Sequence, residues 1–321
     1  MAESTQQLVV IARKLLRAGA EPLRERFEVR EGGLNGTRRE LLELVVGATA
    51  LVTDPTVPVD DELLDAAGPQ LKVVANFAVG YDNVDLPACR ARGLIVTNTP
   101  EVLTEATAEL ALALTLAAAR HLSEAERDLR AGNWKGWDPA AYRGIELRGA
   151  TVGVVGLGRI GGRYAELVHG LGAAVVYSGS TGKPEAERKI GARRLELDQL
   201  LEVADVVSLH APAVSTTHHM IDSRRLDLIG PFGVLVNTAR GSLVDEQALA
   251  VALREGRLGS AGLDVFEDEP GVRQQLLDAP RAVLSPHIGS ATTNSRDAMA
   301  GLVADNVIAA LDGREPPSRV C

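Results

Sequence analysis

The stretch Val152-Gly-Val-Val-Gly156-Leu-Gly158-Arg-Ile-Gly161-Gly162 decides the fold of this chain. Its apolar start, entered from Thr151, reads as a buried parallel strand, and the glycines after it fit a turn into a helix over about residues 159–169. Gly156 permits the tight turn, Gly158 lets backbone approach a pyrophosphate, and Gly161 lets the helix lie close on the strand. The unpaired N–H groups of the first helical turn then face an anion. A second strand, Ala173-Ala-Val-Val-Tyr177, completes the context that the motif needs. The pattern points to a dinucleotide; a purely structural turn and an S-adenosylmethionine site are the other readings of the same glycines.

With 321 residues, 45% of them hydrophobic, the chain has the length of two domains and enough apolar material for a sizeable core. A net charge of −9 argues against general affinity for nucleic acid, and no run of Lys and Arg is long enough to track a phosphate backbone. The first seven residues lack a basic leader region, residues 8–12 are too short for a signal core, and the apolar run 110–119 is too short to span a bilayer. The expectation is a cytoplasmic protein without a membrane or nucleic-acid partner. Cys89 and Cys321 give neither a disulfide framework nor metal-ligand spacing, and the adjacent His218 and His219 lack the i, i+4 spacing of a helical metal site. No metal is expected.

On the N-terminal side of the decisive stretch, strand patterns at residues 8–12, 27–29, 48–53, 71–75 and 95–98 alternate with helical patterns at 21–25, 38–46 and 60–67. On its C-terminal side, residues 205–209, 233–237, 259–263 and 282–284 read as short buried strands. This alternation predicts an α/β protein of doubly wound parallel sheets, with ligand contacts on the loops at strand C-terminal ends. One such loop, residues 76–83, could present backbone N–H groups to a carboxylate, with a plain turn as the other reading. The Ala- and Leu-rich helix over 104–120, bending into 123–131, is apolar on several faces and is expected between domains or in a dimer interface. His121 and His169 are placed on helices at exposed positions. Trp134 and Trp137 share one loop, read as interface packing or, alternatively, a substrate contact. A final amphipathic helix over 292–311 is expected to cross back onto the N-terminal half.

Arg240, Glu269 and His287 stand out as complementary groups at predicted strand ends. The forked guanidinium of Arg240 suits bidentate capture of a carboxylate and polarisation of a neighbouring carbonyl. His287 can change charge near neutral pH, and a Glu behind it would favour the imidazolium and fix its tautomer, as a general acid requires. Spacing alone also allows Glu269 a place in a solvated acidic turn and His287 a role as a strand cap.

The segments Val236-Asn-Thr-Ala-Arg240-Gly-Ser-Leu-Val-Asp-Glu246, Ala261-Gly-Leu-Asp264-Val-Phe-Glu-Asp-Glu269-Pro and Ser285-Pro-His287-Ile-Gly-Ser290-Ala-Thr resemble the D-isomer-specific 2-hydroxyacid dehydrogenases, from Leu8 to Pro317. The stretches Asn76-Phe-Ala-Val79-Gly80-Tyr-Asp-Asn and Asn98-Thr-Pro-Glu-Val-Leu-Thr-Glu-Ala-Thr107-Ala-Glu look most like the glyoxylate/hydroxypyruvate reductase branch. The resemblance implies Arg240 as carboxylate and carbonyl binder, His287 as acid/base and Glu269 as its partner. It implies cofactor contacts from Thr107, from the turn residues Gly156, Gly158, Arg159, Ile160 and Gly161, from the strand ends His210, Pro212, Thr238, Ala239 and Asp264, and from Ser290. It also implies Val79, Gly80 and Trp137 as substrate contacts, Trp137 acting across a homodimer interface. The implied architecture is a Rossmann-type nucleotide domain (100–288) inserted into a flavodoxin-like substrate domain (1–99 and 289–321). The implied reaction is reduction of a small 2-oxo acid, glyoxylate or hydroxypyruvate, to the D-2-hydroxy acid. A phosphoglycerate dehydrogenase-like enzyme and a non-catalytic nucleotide-sensing protein are the alternatives.

About twenty residues after the glycine turn, an NAD site has an acid for the ribose hydroxyls. Here that position is Gly179, within Ser178-Gly-Ser180-Thr181-Gly-Lys183. Ser180, Thr181 and Lys183 suit a 2′-phosphate, so NADP(H) is expected to be preferred, with NAD(H) possible. NADPH-using members of the branch often carry Arg where Ser180 stands.

Overall fold

The computed structural model describes residues 7–321, so all but the last of the residues read for a leader lie outside it. The chain divides into two units, one running to Leu103 and resuming over Ser290–Cys321, the other spanning Thr104–Gly289.

In the first unit, β1 (Leu8–Ile11), β2 (Glu28–Glu31), β3 (Ala50–Thr53), β4 (Val73–Asn76) and β5 (Ile95–Thr97) form a parallel sheet in the order β2-β1-β3-β4-β5. This is the flavodoxin-like order. Strands β1, β3 and β4 are buried throughout, which is why their sequences run apolar without alternation. The edge strand β2, Glu-Val-Arg-Glu, is mostly exposed, and its charges discourage pairing with another chain. Helices α1 (Arg17–Arg24), α2 (Arg38–Leu44), α3 (Asp61–Ala67) and α4 (Leu86–Ala91) connect the strands. Thr37 and Glu40 form a capping box on α2, while Asp60 and Asp85 accept the N–H groups of Leu63 and Ala88. Helix α1 starts four residues before its expected place at 21–25; Pro22 lies inside it and breaks the local pattern.

In the second unit, β6 (Thr151–Val155), β7 (Ala174–Ser178), β8 (Arg193–Arg194), β9 (Val206–Leu209), β10 (Val234–Asn237), β11 (Ser260–Leu263) and β12 (Ala282–Leu284) lie parallel in the order β12-β11-β10-β9-β6-β7-β8. The order reverses between β6 and β9, where a doubly wound sheet opens its ligand crevice. Its helices are α5 (Thr104–Ala119), α6 (Leu122–Arg130), α7 (Arg159–Gly170), α8 (Pro184–Ile190), α9 (Leu197–Val203), α10 (Ser223–Ile229), α11 (Glu246–Glu255) and α12 (Gln274–Leu277). Helix α5 packs on α7 and on β10 and β11, so much of its apolar surface is covered inside this unit. A Cβ on Gly262 would stand 3.0 Å from Leu114 Cβ, which shows how closely the helix lies on the sheet.

The last helix, α13 (Thr293–Leu311), belongs to the first unit and packs on α1 and β4. It is less amphipathic than its spacing suggested. Met299, Ala300, Val303, Ala304, Asn306, Val307 and Ala309–Leu311 are all buried, and a Cβ on Gly19 of α1 would fall 2.3 Å from Ala300 O. His121 also differs from expectation. It stands at the break between α5 and α6 with φ of +50°, and its Nδ1 is buried without a hydrogen-bond partner.

Candidate active site

The phosphate turn is shaped by three glycines with different constraints. Gly156 has φ of +94°, and a Cβ there would lie 2.8 Å from Ala211 N; a Cβ on Gly161 would lie 2.2 Å from Gly156 O. Both are fixed by backbone packing across the switch point. At Gly158 nothing lies within 4 Å of an added Cβ, and α7 begins there without a side-chain cap. An open space in front of helical N–H groups fits a pyrophosphate. Arg159 is exposed on the first turn, whereas Ile160 packs against the core.

At the end of β7, no acid occurs from Ser178 to Lys183, and an added Cβ on Gly179 meets nothing. Arg194, which pairs in register with Tyr177, donates from Nη2 to the carbonyls of Gly179 (2.7 Å) and Ser180 (3.2 Å). Carbonyl and N–H point to opposite sides of a trans peptide. The N–H groups of Ser180 and Thr181 therefore face away from the guanidinium, and among the described residues no acceptor meets them. The Lys183 N–H is held by the Tyr177 hydroxyl at 2.7 Å, and its ammonium forms no ion pair among the described residues. Sequence reading missed Arg194 because it is fifteen residues from Gly179 in a strand of two residues.

The other strand ends carry the remaining expected cofactor residues. The His210 ring is enclosed beside Tyr164, at 5.1 Å between centroids, and shares a 2.9 Å hydrogen bond with Ser208 Oγ. Burial pushes its pKa down to about 3, so the imidazole is neutral, and the His210 backbone and Cβ line the turn. Pro212 is exposed, and its carbonyl accepts the Thr217 hydroxyl. Thr238 Oγ1 is buried with no hydrogen-bond partner, while the Ala239 N–H donates to Asn237 Oδ1. Thr107 is buried in the first turn of α5 and faces Gly289. Ser290 is assigned to the first unit.

Arg240, Glu269 and His287 follow β10, β11 and β12 on one edge of this sheet. His287 Nδ1–H donates to Glu269 Oε2 at 2.6 Å, and Nε2 meets no acceptor or donor among the described residues. Burial alone would raise the Glu269 carboxyl. The hydrogen bond and charge of His287, the Phe266 N–H at 2.9 Å and the charge of Arg240 outweigh burial and hold it below the ordinary carboxylate range. The Arg240 carbonyl is fixed by Asn237 Nδ2 at 2.8 Å, and its Nη1 donates to Ala239 O. His287 itself has φ of +53°. Asp264, 1% exposed, orders that turn: its carboxylate takes Ser285 Oγ and the N–H groups of Ile288 and Gly289, at 2.6–2.8 Å. Burial raises its pKa despite these bonds. Asp264 is among the expected cofactor contacts; both of its carboxylate oxygens face the turn that carries His287.

In the first unit, the loop after β4 has its carbonyls anchored and its amides open. Ala78 O accepts the Thr99 N–H, Val79 O accepts Asn98 Nδ2 and Gly80 O accepts Asn76 Nδ2, each at 2.8 Å. The N–H groups of Val79, Gly80 and Tyr81 point the other way and find no acceptor among the described residues, an arrangement that receives anions. Trp137 is 84% exposed. Among the described residues no helix is long and apolar enough to cross a membrane.

Residues 112–289 match the family model described as D-isomer specific 2-hydroxyacid dehydrogenase, NAD binding domain. The chain is 47% identical over 318 residues to a glyoxylate reductase of Thermococcus onnurineus, covering 97% of this chain and 95% of the relative. It is 49% identical over 287 residues to a glyoxylate reductase of Thermococcus litoralis, covering 88% and 86%. Among solved structures, an NADPH-dependent glyoxylate/hydroxypyruvate reductase from Sinorhizobium meliloti, in complex with NADP and malonate, aligns with a TM-score of 0.86 at 36% identity over 99% of this chain and 97% of that one. Agreement of this kind along nearly the whole length means that the chain belongs to the D-isomer specific 2-hydroxyacid dehydrogenase family.

Proposed function

We propose that this protein reduces a small 2-oxo acid, glyoxylate or hydroxypyruvate, to the corresponding D-2-hydroxy acid. The observation that carries this reading is the imidazole of His287, backed at Nδ1 by a half-buried carboxylate and open at Nε2. A reduced nicotinamide, bound at the glycine turn, supplies the hydride. Arg240 holds the substrate carboxylate and polarises its carbonyl, and His287 Nε2 gives its proton to the carbonyl oxygen as that oxygen gains charge. Glu269 neutralises the imidazolium beforehand and keeps its Nδ1–H directed inward. The open amides of Val79 and Gly80 supply a carboxylate subsite in the first unit. Initial rates with both reduced nucleotides and a panel of 2-oxo acids test the assignment; no nucleotide oxidation with any of them would overturn it.

The same reading assigns a preference for NADPH. Its support is the acid-free turn 178–183, the open hydroxyls of Ser180 and Thr181, the ammonium of Lys183 and the anchoring cation Arg194. Gly179→Asp is expected to reverse the preference by repelling a 2′-phosphate and engaging free ribose hydroxyls, and the empty space at Gly179 admits the side chain. Comparable kcat/KM for NADPH and NADH in the unmodified protein would exclude the preference, whatever the Asp variant did. The protein is further assigned as a homodimer, with the Trp137 segment at its interface.

A further inference from the structure

Beneath the loop that carries Glu269 lies a second carboxylate that the chemistry above leaves unused. Glu246, the first residue of α11, is 2% exposed, and a carboxylate so far from water persists only where its oxygens are engaged. Its Oε1 accepts the Glu267 N–H at 2.7 Å, and its Oε2 lies 3.8 Å from Arg273 Nε. The Glu267 carboxylate pairs in turn with His219 Nε2 and, at 3.3 Å, with Arg273 Nη2. Gly241 closes the other face of the same peptide: a Cβ there would lie 2.0 Å from the carbonyl carbon of Phe266 and 2.3 Å from Glu267 N. The peptide joining Phe266 and Glu267 is thus gripped between Glu246 and the backbone next to Arg240. The adjacent N–H, that of Phe266, is the one that holds Glu269 Oε1.

We infer that Glu246, supported by Arg273 and the His219–Glu267 pair, is a positioning residue for the acid–base couple. By fixing the Phe266–Glu267 peptide it fixes the N–H that aims Glu269 at His287. It touches no reacting atom. The inference rests on the reading of His287 as the proton donor, and it adds a requirement that the trio alone does not contain: the buried side-chain oxygen of Glu246 must keep its hydrogen bond to the Glu267 amide.

The test compares Glu246→Ala, which removes the acceptor, with Glu246→Gln, which keeps an oxygen for it. The Ala variant is expected to lose on the order of 10²-fold in reductive kcat, with nucleotide affinity unchanged, and the Gln variant to recover most of that loss. In a Glu269→Gln background the Ala substitution is expected to add less than about twofold, because both changes interrupt the same support. Without any turnover, the NMR resonance of the hydrogen-bonded His287 Nδ1–H is expected to move upfield in Glu246→Ala, as the bond to Glu269 loosens. Should that variant not fold, Arg273→Gln, at a half-exposed side chain, is expected to give the same direction of movement with smaller amplitude. Multiplicative losses in the double variant, or an unmoved Nδ1–H resonance in the folded variants, would overturn the inference. An unmodified protein inactive on every 2-oxo acid would instead overturn the reductase reading, and the resonance would still decide the brace.

Discussion

The left-handed backbone at His287 costs an L-residue roughly 1–2 kcal/mol, and the fold opposes that cost with the Asp264 hydrogen bonds on either side of it. The result is a histidine whose orientation is set by backbone and by the Glu269 carboxylate at 2.6 Å. Glu269→Gln replaces that carboxylate by an amide and is expected to lower reductive kcat about tenfold or more while nucleotide affinity is kept. An unchanged kcat would remove Glu269 from the mechanism. Arg240→Lys is expected to raise KM and lower kcat together, since a point charge cannot reproduce a forked contact, and near-normal kinetics would place the carboxylate elsewhere. His210 supports a different measurement. Its folded-state pKa of about 3 lies below the ordinary 6.5, so its stabilising contribution is complete above about 6.5 and is lost as pH falls toward 3. Each pH unit in that window costs up to about 1.4 kcal/mol. His210→Gln, compared with the unmodified protein by denaturant titration, is expected to show a shallower loss of stability over this range; parallel curves would mean that the imidazole is solvated.

At the scale of the element, the glycine turn separates two kinds of necessity. Gly158→Ala points a methyl into open space, so thermal unfolding should be unchanged while nucleotide affinity falls about tenfold or more, because the methyl occupies the approach of a pyrophosphate. Gly161→Ala would instead drive Cβ into the Gly156 carbonyl and is expected to lower the unfolding temperature as well. Equal effects of the two changes on unfolding would contradict this division. These roles were legible in the sequence, as were the buried strands, because an apolar run followed by spaced glycines constrains local geometry strongly. The trio was legible as three polar groups at strand ends, but the pairing of Glu269 with His287 came from the family resemblance, since nothing in spacing puts Glu269 rather than Glu267 on His287. The roles of Arg194 and Glu246 were invisible for a related reason: each acts on a backbone group distant in sequence, and although Glu246 ends a recognised segment, nothing there points to its partner. Helix α4 is only six residues long, with Pro87 in its first turn, and the true start of α1 was missed where Pro22 lies inside a short helix.

Over the whole molecule, a net charge of −9 opposes anionic ligands, so binding must depend on local donors such as the open amides of the first unit and the turn before α7. Several exposed apolar side chains follow one another in a single segment of the second unit. Leu122 and Leu129 on α6 are each 60% exposed, and Trp134 and Trp137 in the following loop are 60% and 84% exposed. On the homodimer proposed above, these apolar side chains would be covered by the same segment of a second copy, in a closed two-fold arrangement. Sedimentation equilibrium is accordingly expected to give twice the mass of the chain. Because the protein has only these two tryptophans, their emission reports the segment directly. Dilution through the dissociation range should move the emission to longer wavelength as the indoles meet water. Leu129→Glu combined with Trp134→Glu places charges into the covered patch and is expected to yield monomers whose remaining Trp137 emits at the red limit at every concentration. A monomer mass in the unmodified protein, or emission independent of both dilution and substitution, would exclude this segment as a self-association surface.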